Sequence, residues 1–319
     1  MVIFILNLCI PIILYFQLLA QNLFPIILAI AGSDRPLDTD VDFSEFSYSY
    51  TCIIVMVILL LLTAIRNLSV FVKISTFGVI FIFMIITFII GIGIYSFSNT
   101  HYVFTQPPVT DHDSSWIKLV SGNFAPLMGI LGGGYYLHNI TLPIVRNSAK
   151  PENNVRDVFI GYFLVYLSYS VCGVMGYFGF SGTYFTETLG EKEIKSNCLL
   201  MLPSSNVMAT IIRFCTFGQL LAAMCLMFAC QRSQIFLVIF GSEQKAAQQP
   251  LRTTLIANVL ILIAPFLLAI FYPQVGKLAG YLGSFSALGC IYVLPTVTYL
   301  KSLYTRVKHP VLADGIKYD

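Results

Sequence analysis

Residues 122–139 have the sequence GNFAPLMGILGGGYYLHN. The stretch is apolar enough to enter a bilayer, yet it contains Gly129 and three consecutive glycines, Gly132, Gly133 and Gly134. Each glycine costs a helix about 1 kcal/mol relative to alanine, so this run predicts an interruption of the helix. Unwound backbone persists inside a membrane only where protein buries it or a wet cavity borders it. A broken helix beside a cavity is typical of a transporter binding site.

The alternative is that these glycines let a neighbouring helix pack closely. We favour the break, because close packing uses small residues one turn apart and three of these are adjacent. His138 follows the run and is the histidine that hydropathy places inside a span. An ionisable residue at that depth is a functional candidate by default, although a neutral imidazole that stabilises packing explains it equally well. Tyr135 and Asn139 add polar groups at the same depth.

The composition excludes a soluble globular protein. Of the 319 residues, 57% are hydrophobic and 10% are charged, and the mean hydropathy is +0.82, whereas soluble domains carry about 25% charged residues. A lipid bilayer is therefore the expected environment. The net charge of +3 comes without a basic cluster that has interleaved aromatics, so we expect no nucleic-acid partner. The chain has no Gly-x-Ser-x-Gly, His-Glu-x-x-His or P-loop motif, so we expect no enzyme.

The hydropathy pattern predicts eight membrane spans, at roughly 20 residues each. They are 2–31, 51–66, 75–97, 123–145, 157–180, 205–240, 253–272 and 279–300. When the connections are assigned alternately to two sides, one side receives twelve of the eighteen Lys and Arg residues, and the positive-inside rule makes that side cytoplasmic. Both termini are then cytoplasmic, and residues 98–122 and 182–204 form extracytoplasmic loops. Cys198 is the one cysteine of eight that lies in a loop, and the others are packing candidates within spans.

Several motifs resemble the amino acid/auxin permease superfamily. They are 124–139, Asn153-Asn-Val-Arg-Asp157, Cys198 with Pro203-Ser-Ser205, Arg232-Ser-Gln234 before Ile239-Phe-Gly241, and Phe271-Tyr-Pro273. The resemblance implies an all-α membrane protein with a LeuT-like bundle of eleven spans, in which two inverted five-helix repeats are followed by one extra helix. On that plan residues 1–319 form a single transmembrane transporter domain that supplies spans 3–10. The first two spans and the last span are missing, which suggests an incomplete gene model or a product that cannot transport alone.

Secondary active transport of amino acids is the leading hypothesis. We expect the substrate site to combine the first span, the broken fourth span and the sixth, with these residues: Tyr15, Gln17, Gly132, Gly133, Gly134, Tyr135, His138, Asn139 and Gln219. A broken helix presents the N-terminus of one half-helix to a carboxylate and free carbonyls to an ammonium group. A zwitterionic amino acid satisfies both.

The resemblance also bears on the coupling ion and the location. A threonine of the eighth family span helps to ligate sodium, and counting back from Arg232 places Ala222 at that position. A methyl group cannot ligate a cation, so Ala222 argues against sodium coupling. Proton coupling, facilitated diffusion and sensing without transport are all consistent with it. No cofactor is expected. The resemblance implies a lysosomal or other endomembrane location. The alternatives are an amino-acid sensor that signals to a cytosolic complex without net flux, and an inactive truncated product.

Overall fold

The computed structural model describes residues 2–33, 37–43, 45–64, 68–99, 102–103, 115–116, 124–135, 145, 150–181, 194–241 and 249–308. Within these ranges the chain is almost entirely helical. The α-helices are α1 (Val2–Ala31), α2 (Tyr48–Thr63), α3 (Leu68–Asn99), α4 (Ala125–Gly134), α5 (Asn154–Phe180), α6 (Val207–Phe240), α7 (Leu251–Phe271), α8 (Val275–Ala287) and α9 (Leu294–Lys308). A π-helical turn, Leu288–Val293, joins α8 to α9. Two two-residue strands, β1 (Tyr102–Val103) and β2 (Ser115–Trp116), pair in parallel in the loop after α3.

Five helical segments of the described residues are long and apolar enough to cross a membrane: Cys9–Ala31, Gly78–Asn99, Pro151–Phe180, Val207–Phe240 and Leu251–Phe271. They support the integral membrane character, and they overlap five of the predicted spans. The predicted spans 51–66 and 123–145 correspond to shorter apolar helices of 16 and 10 residues. Ten helical residues extend about 15 Å, which is half of the hydrocarbon thickness. The rest of the predicted span 123–145 lies outside the described residues, apart from Tyr135 and residue 145.

The main core joins α1, α2, α6 and α7. Phe16 of α1 is fully buried and meets Phe266 of α7 edge to face, with ring centroids 6.4 Å apart. Other core side chains follow helical spacing on each element: Ile12, Leu19, Cys52, Val55, Leu59, Met224, Phe228, Leu262 and Ala269. Because lipid is as apolar as these side chains, close van der Waals packing stabilises the bundle more than removal from water does.

Polar side chains of two helices bond to the end of a third. Asn258 of α7 is fully buried, and its Nδ2 donates to Thr63 Oγ1 over 3.1 Å. Arg232 of α6 donates from Nη1 to the Thr63 carbonyl over 2.9 Å. These bonds satisfy the end of α2, where backbone carbonyls have no partner inside the helix.

The glycines of α4 lie within a continuous helix, and Gly129, Gly132 and Gly133 face α8. A Cβ on Gly283 would lie 2.2 Å from the Gly129 carbonyl oxygen, and a Cβ on Gly133 would lie 3.0 Å from Gly283 Cα. A Cβ on Gly132 would lie 3.0 Å from the Cβ of Ala287. The backbones of the two helices are therefore in contact. The expected interruption does not occur among the glycines: Gly129 and Gly133 are one turn apart and form the close-packing surface that we had ranked second. The helix ends after Gly134.

A buried arginine holds the segment that precedes α6. Arg213 has no exposed surface, and its Nη2 donates to the carbonyls of Leu199 (2.7 Å) and Leu202 (2.5 Å). Its Nη1 donates to the Pro203 carbonyl over 3.4 Å. Cys198 begins this 3₁₀ segment and packs beside the small core around Phe180. Burial raises the pKa of the Cys198 thiol to about 11.

We expect Gly283→Ala to lower the thermal stability of the protein. The new methyl group would collide with backbone of α4, and overpacking costs about 1–3 kcal/mol. That cost exceeds the gain in helix propensity, which is up to about 1 kcal/mol. The measurement is loss of helical circular dichroism on heating in detergent. Gly161→Ala is the matched control, because a Cβ there meets nothing within 4 Å. Equal stabilisation by both substitutions would contradict the contact between α4 and α8.

We expect Cys198 to react slowly with maleimide at neutral pH and faster as the pH approaches 11, because the thiolate is the nucleophile. Arg213→Met leaves three carbonyls without their donor, so the segment should loosen and labelling should accelerate. Mass spectrometry of the peptide that holds Cys198 measures the rate. Arg156→Met is the control, since the side chain of Arg156 is 65% exposed. Unchanged labelling in Arg213→Met would show that Arg213 does not hold this segment.

Candidate functional site

The end of α4 forms the centre of the candidate site. The amide of Tyr135 donates to the Leu131 carbonyl over 2.9 Å and closes the helix. The carbonyl of Gly134 accepts a bond of 3.4 Å from the hydroxyl of Tyr169 in α5. A Cβ on Gly134 would lie 3.2 Å from both Cε2 and the hydroxyl of Tyr169. The third glycine of the run therefore allows the tyrosine ring to lie against the helix end.

Three tyrosines gather at this end, and we call them the tyrosine cluster: Tyr135, Tyr162 and Tyr169. The ring of Tyr135 stacks on that of Tyr162, with centroids 6.5 Å apart and planes 14° apart. It meets the ring of Tyr169 edge to face at 5.4 Å. Tyr169 is 42% exposed. Tyr15 of α1, also predicted in the site, packs against the main core.

The cluster combines two kinds of group that recognise an amino acid. Aromatic faces attract an ammonium group by cation–π interaction, and the C-terminal end of α4 carries partial negative charge. Tyrosine hydroxyls donate hydrogen bonds to a carboxylate. The arrangement therefore suits a zwitterion. We expected the N-terminus of a half-helix to face the carboxylate, whereas the described helix α4 presents its C-terminal end to the site.

Sequence reasoning placed Tyr15 and Tyr135 in the site and missed Tyr162 and Tyr169. These two residues are seven positions apart, which puts them on one face of α5. That spacing was visible in the sequence. Which helix the face would meet was not, because α5 is apolar on all sides and its neighbours come from distant parts of the chain.

Gln17 was expected beside Tyr15, and the structure separates them. Two residues apart on a helix means about 200° of rotation, so the two side chains leave opposite faces of α1. Gln17 is fully buried and donates from Nε2 to the carbonyls of Leu268 (3.1 Å) and Tyr272 (2.9 Å) at the end of α7. The described contacts of Gln17 are therefore with α7, and its role in substrate binding stays a prediction.

The remaining predicted residues fall into three groups. Gln219 lies against α3, where a Cβ on Gly78 would be 1.5 Å from its Oε1, so its described contact is with that helix. Gly132 and Gly133 face α8, as described above. His138 and Asn139 lie outside the described residues and stay predictions.

Ala222 is 5% exposed within α6, so its methyl group is packed inside the bundle. Among the described residues, no three His, Cys, Asp or Glu side chains come together as a metal site. The described part of the chain thus offers neutral oxygens, and no carboxylate cluster, to any ion.

Comparison with known proteins identifies the family. Residues 1–309 match the model of the family described as "Transmembrane amino acid transporter protein". The "Sodium-coupled neutral amino acid transporter 9 homolog" of Caenorhabditis elegans is 33% identical over 187 residues, which cover 58% of this chain and 28% of that protein. "Neutral amino acid transporter 9" of Rattus norvegicus is 29% identical over 187 residues, which cover 59% of this chain and 32% of that protein. The protein of the same name from Danio rerio is 30% identical over 183 residues, covering 57% and 32%.

The chain therefore aligns with about a third of the length of these relatives. The family and the relatives are transporters and not enzymes, as the absence of hydrolase motifs predicted. The expected superfamily resemblance is confirmed by the match across nearly the whole sequence. The chain belongs to the transmembrane amino acid transporter protein family.

Proposed function

We propose that this chain takes part in secondary active transport of amino acids across a membrane and that it holds the substrate at the tyrosine cluster. The observation that supports the proposal most directly is the end of α4 at Gly134, about half a bilayer from its start, with the hydroxyl of Tyr169 bonded to its carbonyl and the stacked rings of Tyr135 and Tyr162 beside it. A helix end at that depth is the feature that transporter binding sites use.

The substrate's ammonium group would lie over the ring faces of the cluster, near the negative end of α4. Its carboxylate would accept from the hydroxyls of Tyr15 and Tyr169. His138 and Asn139 follow Tyr135 within four residues and are proposed as the next polar groups that the substrate meets. Gln219, Gly132 and Gly133 support this arrangement through their contacts with α3 and α8.

We propose a partial LeuT-like bundle of about eight spans, which correspond to spans 3–10 of the family plan. In such a bundle the contact of α4 with α8 would make these two helices move together. Their glycine backbones approach so closely that one cannot slide past the other without separating. Alternating access would then shift the helix end that holds the substrate as part of a rigid pair.

A lysosomal or endosomal membrane is the proposed location, and symport with sodium or protons is the proposed coupling. Ala222 supplies no oxygen at the position where the family places a sodium-ligating threonine, so a sodium ion would need other ligands. The proposed small-molecule partner is an amino acid, and a cytosolic signalling complex is the partner that a sensor function would require.

We expect Tyr169→Phe to weaken amino acid binding about threefold to tenfold, because one hydrogen bond contributes about 0.5–1.5 kcal/mol. The dissociation constants of labelled leucine and glutamine for the purified protein measure this effect. Tyr177→Phe is the matched control, since Tyr177 lies on the same helix about two turns beyond the cluster. Equal affinities in the wild type and Tyr169→Phe would remove the tyrosine cluster from the site.

We expect the protein in liposomes to exchange labelled for unlabelled amino acid in a counterflow assay. Accumulation of label requires that the loaded site open alternately to both sides. Binding without exchange would favour the sensor over the transporter. If the protein shows no binding and no exchange, the chain alone is inactive.

A further inference from the structure

One face of α5 carries tyrosines along most of the length of the helix. The residues of this face, which we call the tyrosine stripe, are Tyr162, Tyr166, Tyr169, Gly173 and Tyr177. Their separations of three and four residues place side chains on one face of a helix. By hydropathy α5 is apolar on all sides, and tyrosine fits that pattern because its ring is apolar. Each ring nevertheless carries a hydroxyl group.

The stripe begins at the end of α4 and continues beyond it. The rings of Tyr162 and Tyr169 contact that of Tyr135. Gly173 lies one turn further along α5, and it is exposed. A Cβ there would meet none of the described atoms within 4 Å, so there is open space beside the helix at this point. Three of the four tyrosines of the stripe are exposed: Tyr166 by 58%, Tyr169 by 42% and Tyr177 by 39%.

A different face of α5 packs against α3. A Cβ on Gly179 would lie 2.8 Å from Ile92 Cγ2, and a Cβ on Gly93 of α3 would lie 3.0 Å from Met175 Cβ. Met175 and Gly179 are turned by about 120–160° from the centre of the stripe. The contact with α3 therefore leaves the stripe uncovered.

Depth distinguishes the stripe from a belt of tyrosines at the membrane interface. Tyr166 and Tyr169 follow the first residue of α5 by 12 and 15 residues. They lie about 18 and 22 Å along a helix of about 40 Å, in the central part of a hydrocarbon layer about 30 Å thick. Interfacial tyrosines lie at the level of the headgroups, and a side chain at the centre is too short to reach that level. A hydroxyl group that faced hydrocarbon at this depth would cost free energy.

The neighbouring exposed positions of α5 have a different chemistry. Leu167 and Val174 are 48% and 55% exposed. Each directly follows a residue of the stripe, Tyr166 or Gly173, so it lies at nearly the same depth and about 100° around the helix. Aliphatic side chains suit lipid, whereas hydroxyl groups suit water or a polar solute. The helix thus has one surface for lipid and another for a polar environment.

We propose that the tyrosine stripe lines an aqueous path by which an amino acid reaches the tyrosine cluster. Gly173 leaves room for the solute, and the tyrosine hydroxyls replace part of the water around its ammonium and carboxylate groups. On the topology that the positive-inside rule predicts, Tyr177 lies near the extracytoplasmic end of α5, so the path opens to that side. Passage of an amino acid along the stripe rests on the proposed function, whereas the presence of water there can be measured without any substrate.

The test is the labelling of introduced cysteines in the 319-residue protein, reconstituted in liposomes with the reagent on both sides. The reagent is trimethylammonium-ethyl methanethiosulfonate, which is charged, stays in water and reacts with the thiolate. Gly173→Cys should react at least about tenfold faster than Val174→Cys, because a thiolate forms readily only where water reaches it. Tandem mass spectrometry locates each label, so the native cysteines stay in place.

Val174→Cys is the matched control, because Val174 is exposed at the same depth on the aliphatic side of the helix. Tyr166→Cys and Leu167→Cys form a second pair with the same expected order of rates. Labelling after unfolding in dodecyl sulfate normalises each rate for the amount of thiol. The first pair decides the matter by itself if Tyr166→Cys does not fold, since the new side chain at Gly173 meets no described atom.

Equal rates at Gly173→Cys and Val174→Cys would overturn the proposal. Reaction of Gly173→Cys with the membrane-permeant N-ethylmaleimide alone would overturn it as well, because lipid would then cover the stripe. Reaction with neither reagent would show that another protein surface takes the place of water, with the same consequence. Fast labelling of Gly173→Cys by the charged reagent, without amino acid binding or exchange, would support water at the stripe and count against the proposed function alone.

Discussion

Backbone carbonyls at helix ends cannot be paired by lipid, and much of this structure follows from how side chains pair them. Arg213 donates to three carbonyls before α6, Gln17 to two at the end of α7, Arg232 to the last residue of α2, and Tyr169 to the last residue of α4. Each bond joins elements that are distant in sequence. In a membrane such a bond both removes an unpaired polar group and sets which helix ends are neighbours.

The glycines illustrate how one residue type serves two purposes within six positions. Gly129 and Gly133 are one turn apart and bring the backbone of α4 against that of α8. Gly134, one residue further, faces α5 and makes room for the ring of Tyr169. The close packing holds α4 against α8, and Gly134 lets the end of α4 lie beside the tyrosines. A cost of about 1 kcal/mol per glycine in helix propensity is offset by contacts that a side chain would prevent.

Tyr15 and Gln17 lie on different faces of α1, because two residues of separation turn a side chain to the other side of a helix. Tyr15 packs against the main core. Gln17 and Gln21 bond to carbonyls at the end of α7 and hold α1 against that helix.

The sequence by itself determined the membrane character, the helical class, the family and the approximate bounds of most spans. Hydropathy and motif order determine these properties, and neither depends on which helices meet. The sequence also indicated that the glycine run has a structural purpose, although it predicted a break where the helix packs closely. The tertiary structure alone decided that the glycines pack against α8, that Gln17 belongs to α7 and Gln219 to α3, and that Tyr162 and Tyr169 complete the cluster. The physical reason is that α4 and α5 are apolar around their whole circumference, so periodicity cannot indicate a buried face. Only contacts between residues far apart in the chain select one.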